Sequence, residues 1–321
     1  LHLGRAWFFY WLVPYPARTE VWPQFRSALT WDVGAVGTYT IVSILFWYLG
    51  LLPDLAAARD DVTAPLSRRK SFGLFALGWR GTAAQWSAHS RAKLLLAGLA
   101  TPLVVSVHSV VSFDFSTALV TGWHSTIFPP YFVVGALFSG FAMLLTLVIP
   151  LRRVYGIEDL ITARHLDVLA RIILALGLVM AYSYGVEHYL AATGDDARES
   201  TFVLALRPTG PYALLFWLLL SCNVAAPQLL WFRRVRASPL ALFIIALVIN
   251  CGMWLERFVI IAASLSRDFL PSSWAPFRPS WVDLLLFAGS LSFFSFLFFV
   301  FLRIVPFLPI SELADSEARD E

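Results

Sequence analysis

Charge is what this 321-residue sequence has least of: Asp, Glu, Lys and Arg together make up 14% of it, against about 25% in an ordinary soluble domain. A compact water-soluble body of this length must still cover itself with polar side chains, and too few are present. Cysteine is nearly absent as well. Cys222 and Cys251 both fall inside apolar runs, which argues against a disulfide framework or a cysteine-ligated metal and leaves packing as their role. The sequence holds no CxxC, CxxCH or HExxH motif and no phosphate loop, so no metal and no tightly bound cofactor is expected. A bis-histidine haem needs histidines on facing helices at matched depth. Only His108 and His188 come near that, without the repeated pairs of a two-haem cytochrome.

Apolar residues fill the space that charge leaves, at 59% of the chain and a mean hydropathy of +0.71. Runs of about 20 such residues cross a bilayer as helices, because each residue rises about 1.5 Å against a core of about 30 Å. Seven qualify, near 32–54, 94–115, 130–151, 168–192, 210–232, 239–265 and 281–304. They are continuous rather than alternating, which favours helices over barrel strands, and a helix satisfies its own backbone polar groups. The expected fold is an all-α polytopic transmembrane bundle.

Basic residues gather in alternate connections. Arg59, Arg68, Arg69, Lys70, Arg80, Arg91, Lys93, Arg152, Arg153, Arg164, Arg233, Arg234 and Arg236 lie on one side, and Arg5, Arg18, Arg26, Arg198, Arg207, Arg267 and Arg278 on the other. The 13-to-7 split places the first set in the cytoplasm. The net charge of +3 therefore reads as topology rather than nucleic-acid binding. Residues 1–31 are expected outside, 32–151 as the remainder of a first bundle with a cytoplasmic loop at 55–93, and 168–304 as a second bundle with a final helix. An acidic cytoplasmic tail covers 305–321. Within the loop, Ser71 to Trp86 is expected to lie flat at the membrane interface. Small-residue pairs (Gly34 with Thr38, Gly135 with Ser139, Gly177 with Ala181) suit close helix contacts. Leu1 to Tyr10 has no charged leader with a small-residue cleavage site, and the sequence is expected to be N-terminally truncated.

Ionisable groups inside spans are expensive unless paired or hydrated, so each marks a candidate site. Mapped on this topology, they fall toward the outer face. His108 and Asp114 lie on the second run, Glu187 and His188 on the fourth, Glu256 and Arg257 on the sixth, and Asp32 and Asp283 open the first and seventh. Thr101, His108 and Ser112 share a helical stripe, as do Tyr184, Glu187 and His188, and Asn250, Met253 and Arg257. Taken singly, each of these residues also has a structural reading, as a local hydrogen bond or ion pair. Together, Glu187, His188, Asn250, Glu256 and Arg257 suggest a hydrated polar group and a proton path, with Glu187 neutralising Arg257.

Three stretches carry a family resemblance: Leu1-His2-Leu3-Gly4-Arg5-Ala6-Trp7-Phe8-Phe9-Tyr10-Trp11, Phe46-Trp47-Tyr48-Leu49-Gly50-Leu51-Leu52-Pro53-Asp54, and Ser106-Val107-His108-Ser109-Val110-Val111-Ser112-Phe113-Asp114-Phe115. They resemble the polysulfide-reductase membrane-subunit (NrfD-like) family. Gly122-Trp123-His124-Ser125-Thr126-Ile127-Phe128-Pro129-Pro130-Tyr131-Phe132, Trp254-Leu255-Glu256-Arg257-Phe258 and Arg267 to Trp274 narrow the likeness to the quinol-oxidising membrane component of alternative complex III. The resemblance implies about ten helices with two four-helix bundles, a bacterial cytoplasmic membrane and no cofactor of the chain's own. Menaquinol would be the diffusing substrate, oxidised near the outer face. Its electrons would pass to an iron-sulfur cluster of an extrinsic partner, within a complex that also holds a multihaem cytochrome and other membrane subunits. His2, Arg5, His108 and Asp114 would border the quinol, with His108 and Asp114 taking its protons. The competing reading is a paralogous membrane anchor or a transporter-like subunit without a working quinol site.

Overall fold

The computed structural model describes residues 24–267 and 274–305 without interruption, together with residues 7, 8, 10, 13, 15, 16, 21, 22, 270 and 272. His2, Arg5 and residues 306–321 lie outside the described residues. Among the described residues every regular element is helical, and seven helices are long and apolar enough to cross a membrane. They are α1 (Ala28–Asp60), α3 (Ala83–Ser116), α4 (Phe128–Tyr155), α5 (Ala163–Thr193), α7 (Ala213–Trp231), α8 (Pro239–Ala263) and α9 (Trp281–Ile304). Between them lie α2 (Leu66–Phe75) and α6, a short helix pieced from Ala197–Ser200, Thr201–Leu206 and Arg207–Thr209.

The seven spans agree with the seven apolar runs, but the loop assigned to 55–93 is mostly helix. α1 continues to Asp60 and α3 already begins at Ala83. Hydropathy falls where the lipid ends, whereas the hydrogen-bond ladder continues through good helix formers such as Ala56, Ala57, Ala58, Ala83 and Ala84. Ser71 to Trp86 is accordingly not one flat element. α2 ends at Phe75, Ala76 to Thr82 turns, and Trp86 belongs to α3.

Several helix starts follow from local side-chain chemistry. Ser280 accepts from the Asp283 backbone N–H while the Asp283 side chain accepts from the Ser280 N–H at 2.8 Å, which caps α9 reciprocally. Ser238 receives the Ala241 N–H at the head of α8, and Pro239 fills the first helical position. Three wide π-helical turns interrupt the regular ladder, at Thr201–Leu206, Ser221–Ala225 and Val259–Ala263.

Contacts divide the chain into two units. One comprises Leu1–Val33 with Val105–Phe277, the other Gly34–Val104 with Arg278–Glu321. The first unit holds the main core, in which Phe128, Phe138, Leu145, Ile173, Met180, Leu230, Leu242 and Ile249 are fully enclosed. Two of the small-residue pairs work there as close contacts. A Cβ on Gly135 would come 3.2 Å from Met253, and one on Gly177 would touch Pro227 at 3.0 Å. Around Gly34 none of the described residues comes within 4 Å of such a position. At the start of α5, Asp167 is pinned by Arg236 at 2.7 Å and Arg171 at 2.5 Å, and Arg236 also donates to the Leu230 carbonyl at 2.6 Å.

In the second unit α1 turns back through α2 onto the start of α3. Trp79, Trp86 and His89 pack edge to face, with ring centroids 5.1 to 5.7 Å apart, and the His89 Nε2 meets the Leu49 carbonyl at 3.0 Å. Arg59 donates to the Trp79 carbonyl at 2.9 Å, and the Tyr48 hydroxyl donates to the Phe75 carbonyl.

Helices α7 and α8 of the first unit approach closely at Gly252. A Cβ there would fall 2.1 Å from Asn223 Oδ1 and 2.5 Å from Cys222 Cβ, both on the wide turn of α7. Gly252→Ala should therefore force the two helices apart and lower the thermal unfolding temperature by an amount equivalent to about 1–3 kcal/mol. An unchanged melting curve would mean that this contact is looser than described.

Candidate functional site: a buried acid, phenol and guanidinium network

The polar groups of the first unit collect where α3 ends, α4 begins and α5 and α8 approach their C-termini. The site starts at Glu256 of α8, which is 1% exposed. Its Oε2 accepts a hydrogen bond from the Tyr184 hydroxyl of α5, and that hydroxyl accepts from Asn223 Nδ2 at 2.9 Å. Asn223 also points Nδ2 at the Met253 sulfur, 3.4 Å away. The wide turn at Ser221–Ala225 presents this amide to α5 and α8 within an otherwise apolar helix, and such turns recur at functional positions.

Arg257 follows Glu256 in sequence and lies 3.5 Å from its second oxygen, Oε1. Its guanidinium rests 4.0 Å from the Phe132 ring centroid, so a cation–π contact from α4 holds the charge beside the carboxylate. The Tyr131 ring stands 5.6 Å from that of Tyr184 and closes the other side. Glu256 thus meets the Tyr184 phenol and one adjacent cation, with the Tyr131 phenol as a further neighbour.

One turn beyond Tyr184, Glu187 pairs with Arg207 rather than with Arg257, at 2.8 Å. Both are buried, Glu187 7% and Arg207 4% exposed. Arg207 also donates to the Gly122 carbonyl at 3.2 Å, and its guanidinium lies 5.3 Å from the Phe202 ring centroid. Gly122 in turn donates its N–H to Glu199 Oε2 at 2.7 Å. Its φ of +84° is one that L side chains rarely adopt, and a Cβ there would meet Phe202 at 2.4 Å and the Ser264 hydroxyl at 2.7 Å. Only glycine fits this turn without strain. Burial pushes the Glu199 carboxyl above the usual carboxylate range, opposed by the Gly122 N–H and the Arg207 charge.

Glu187 and Glu199 line one cleft of about 230 Å³ with His124, Ser125, Asp195 and Asp196. The ionisable groups therefore run from an enclosed carboxylate, Glu256, to a polar cleft. Trp123 secures the loop beside it, donating its indole N–H to the Ile260 carbonyl at 2.7 Å. That carbonyl belongs to the third wide turn.

The residues singled out from sequence divide among distinct places. Glu187, Glu256 and Arg257 join the network, but the expected Glu187 to Arg257 pairing is replaced by Glu187 with Arg207. In the sequence Arg207 reads as a loop charge. A strongly apolar run, Phe202 to Leu206, sits between Arg198 and Arg207 and was the available signal that this connection folds inward. His188 turns back to the Tyr184 carbonyl at 2.8 Å, and Asn250 donates to Thr146 on α4 at 3.0 Å. Asn250 lies six residues before Glu256, about 9 Å along the helix, so neither His188 nor Asn250 extends the acid chain through these bonds. Tyr131, Asn223, Glu199 and Gly122 were not assigned roles from sequence.

His108 and Asp114 lie half-buried on α3. Asp114 is near the helix end, electrostatically coupled to Asp32 of α1, and its Oδ1 is enclosed without a hydrogen-bond partner. Phe115 packs on Trp123 at 4.8 Å and Phe132 at 5.4 Å, which seats this end of α3 against the start of α4. Ser112 bonds locally to the Ser109 carbonyl at 2.6 Å. Among the described residues, no three His, Cys, Asp or Glu side chains cluster as metal ligands.

Helix lengths, hydropathy and this enclosed ionisable network define a multi-pass helical membrane protein with a polar site built into one end of a bundle. The sequence model of the polysulphide reductase NrfD family matches residues 1–267, and the chain belongs to that family. It is 33% identical over 125 residues to a putative dimethyl sulfoxide reductase membrane subunit of Halobacterium salinarum, covering 38% of this chain and 26% of that protein. It is 28% identical over 199 residues to the Hdr-like menaquinol oxidoreductase integral membrane subunit of Archaeoglobus fulgidus, covering 58% of this chain and 48% of that protein. The chain thus spans about a quarter and about half the length of these two relatives.

Proposed function

We propose that this chain is the integral membrane subunit of a respiratory complex that oxidises quinol, menaquinol by its likeness to the Archaeoglobus protein, near the outer face of a bacterial cytoplasmic membrane. One observation carries the reading. A member of this family encloses an acid, a phenol and ion-paired carboxylates at one end of a bundle, the groups that quinol oxidation needs for its protons. Each quinol loses two electrons and two protons. An iron-sulfur cluster of an extrinsic partner would accept the electrons, in an assembly like alternative complex III that would also hold a multihaem cytochrome. The protons require acceptors in the chain itself.

His108 and Asp114 are the proposed acceptors, with His2 and Arg5 bordering the quinol. The two acceptors are six residues apart on α3, roughly 120° out of phase. In this reading His108 binds the quinol hydroxyl and Asp114, its carboxylate partly enclosed, relays the proton outward. Glu256, Tyr184, Glu187 and the cleft at Glu199 form a second proton route, which would couple turnover to translocation.

His108→Phe and Asp114→Asn in the assembled complex test the site. Each should lower quinol oxidation about 100-fold, within the usual worth of general acid–base groups, without loss of assembly. Variants that assemble and turn over at the parent rate would remove His108 and Asp114 from the quinol site.

A further inference from the structure

The second unit holds a larger cavity of different character. About 790 Å³ in volume, it is walled by Trp47, Leu51, Phe72 and Phe75 and edged by Arg68 and Arg303. That volume lies within the range of ligand pockets, about 300–1,000 Å³. Trp47 packs on Phe301 of α9 at 5.9 Å. The Tyr48 hydroxyl is committed to the Phe75 carbonyl, which removes it as a free polar group in the wall.

The two cations are placed at the rim. Arg68 lies on α2, with its guanidinium 5.4 Å from the Phe72 ring centroid, and Arg303 lies in the last turn of the spanning helix α9. Among the described residues no Asp or Glu lines the cavity. Among the described acids of this unit, Asp60 pairs with Arg59 at 2.7 Å, Asp61 accepts from Thr63 at 2.6 Å, and Asp54 of α1 is buried at 1% exposure. Thr63 also holds the Asp61 carboxyl below the usual carboxylate range, so it stays ionised and committed there. Lys70 adds a further positive charge on α2.

An apolar, aromatic chamber with cations at its mouth matches an amphiphile with an anionic head. Its position supplies the occupant's source. The cavity is lined by the C-terminal part of α1, the end of α9 and the basic helix α2, and both α1 and α9 are long and apolar enough to span a bilayer, the setting in which a span is expected to give way to headgroups. We propose that this cavity seats one anionic phospholipid, its phosphate between Arg68 and Arg303 and an acyl chain along Trp47, Leu51 and Phe72. This site is separate from the acid network of the first unit and does not depend on the reading of quinol oxidation.

The test is native mass spectrometry of the full chain, released in its complex from membranes and exposed to phosphatidylglycerol or phosphatidylcholine of matched chain length. The parent should retain phosphatidylglycerol selectively. Arg68→Gln with Arg303→Gln should weaken that retention roughly thirtyfold, since each of the two basic side chains near an anionic lipid contributes about 1 kcal/mol, and leave phosphatidylcholine unchanged. Leu51→Trp, which fills the chamber but keeps both guanidinium groups, should displace the lipid as well. Equal retention of the two lipids overturns the proposal, as does a double variant that holds phosphatidylglycerol as the parent does. So does retention undiminished by Leu51→Trp.

Discussion

Arg207→Leu is expected to destabilise the protein by about 3–5 kcal/mol, because removing one partner of a buried ion pair leaves the other charge uncompensated. Arg207 reaches Glu187 and the Gly122 carbonyl at once, so its loss also frees the loop that holds Glu199. At the scale of a domain of 150–250 residues, that loss lowers the unfolding temperature on the order of 10 °C. Adding Glu187→Leu to the same chain should recover most of it, since no buried carboxylate then lacks its cation at that position. Thermal unfolding of the detergent-solubilised parent, single and double variants measures the cycle. An Arg207→Leu variant that melts with the parent would show that the pair carries no weight.

The sign of the pH dependence follows from Glu199. Its carboxyl is already raised by burial, and Arg207 is one of the groups opposing that rise. Without Arg207 the folded pKa climbs further above the unfolded value of about 4.3. The neutral form is then favoured by folding, so the penalty is absent below the unfolded pKa and grows as pH rises through the folded one. Arg207→Leu should lose more stability at pH 8 than at pH 5.

Glu256→Gln is expected to lower turnover as strongly as the changes at His108 and Asp114 while sparing the fold. Glutamine nearly keeps the volume and can still accept from Tyr184, but it cannot take up and release a proton. Proton-coupled quinol oxidation by the reconstituted complex should fall about 100-fold if the group relays protons, with the melting temperature near that of the parent. Tyr184→Phe gives a contrast. It leaves both Glu256 and Asn223 without the bridging hydroxyl and should cost about 1–3 kcal/mol of stability as well. Glu256→Gln turning over at the parent rate would remove this residue from the proton route.

The spans were legible because hydropathy over twenty residues is a collective signal that lipid enforces. Their ends were not. Ala83 and Ala84 precede the apolar core of α3 yet belong to its ladder, since helix propensity there continues beyond the greasy segment. In the site, the demand that Glu187 find a cation was readable, but its identity was not. Arg257 offered itself by depth and Arg207 looked like a loop charge, because the irregular turns of α6 carry no periodic pattern. The same irregularity hid Asn223. A lone amide in an apolar run gives no hint that a wide turn aims it at Tyr184, or that Gly252 clears the space for it.

The three π-helical turns also bear on how this chain should be compared with its kin. A wide turn is equivalent to one residue inserted into an α-helix, and everything beyond it is rotated by about 100° relative to an uninterrupted helix. A relative without the insertion at Ser221–Ala225 would show a single-residue gap inside a spanning segment, and an ungapped alignment would misplace its register from that point on. The counterpart of Asn223 in such a chain is the residue that faces the tyrosine of the neighbouring helix, not the one at the same count from the helix start.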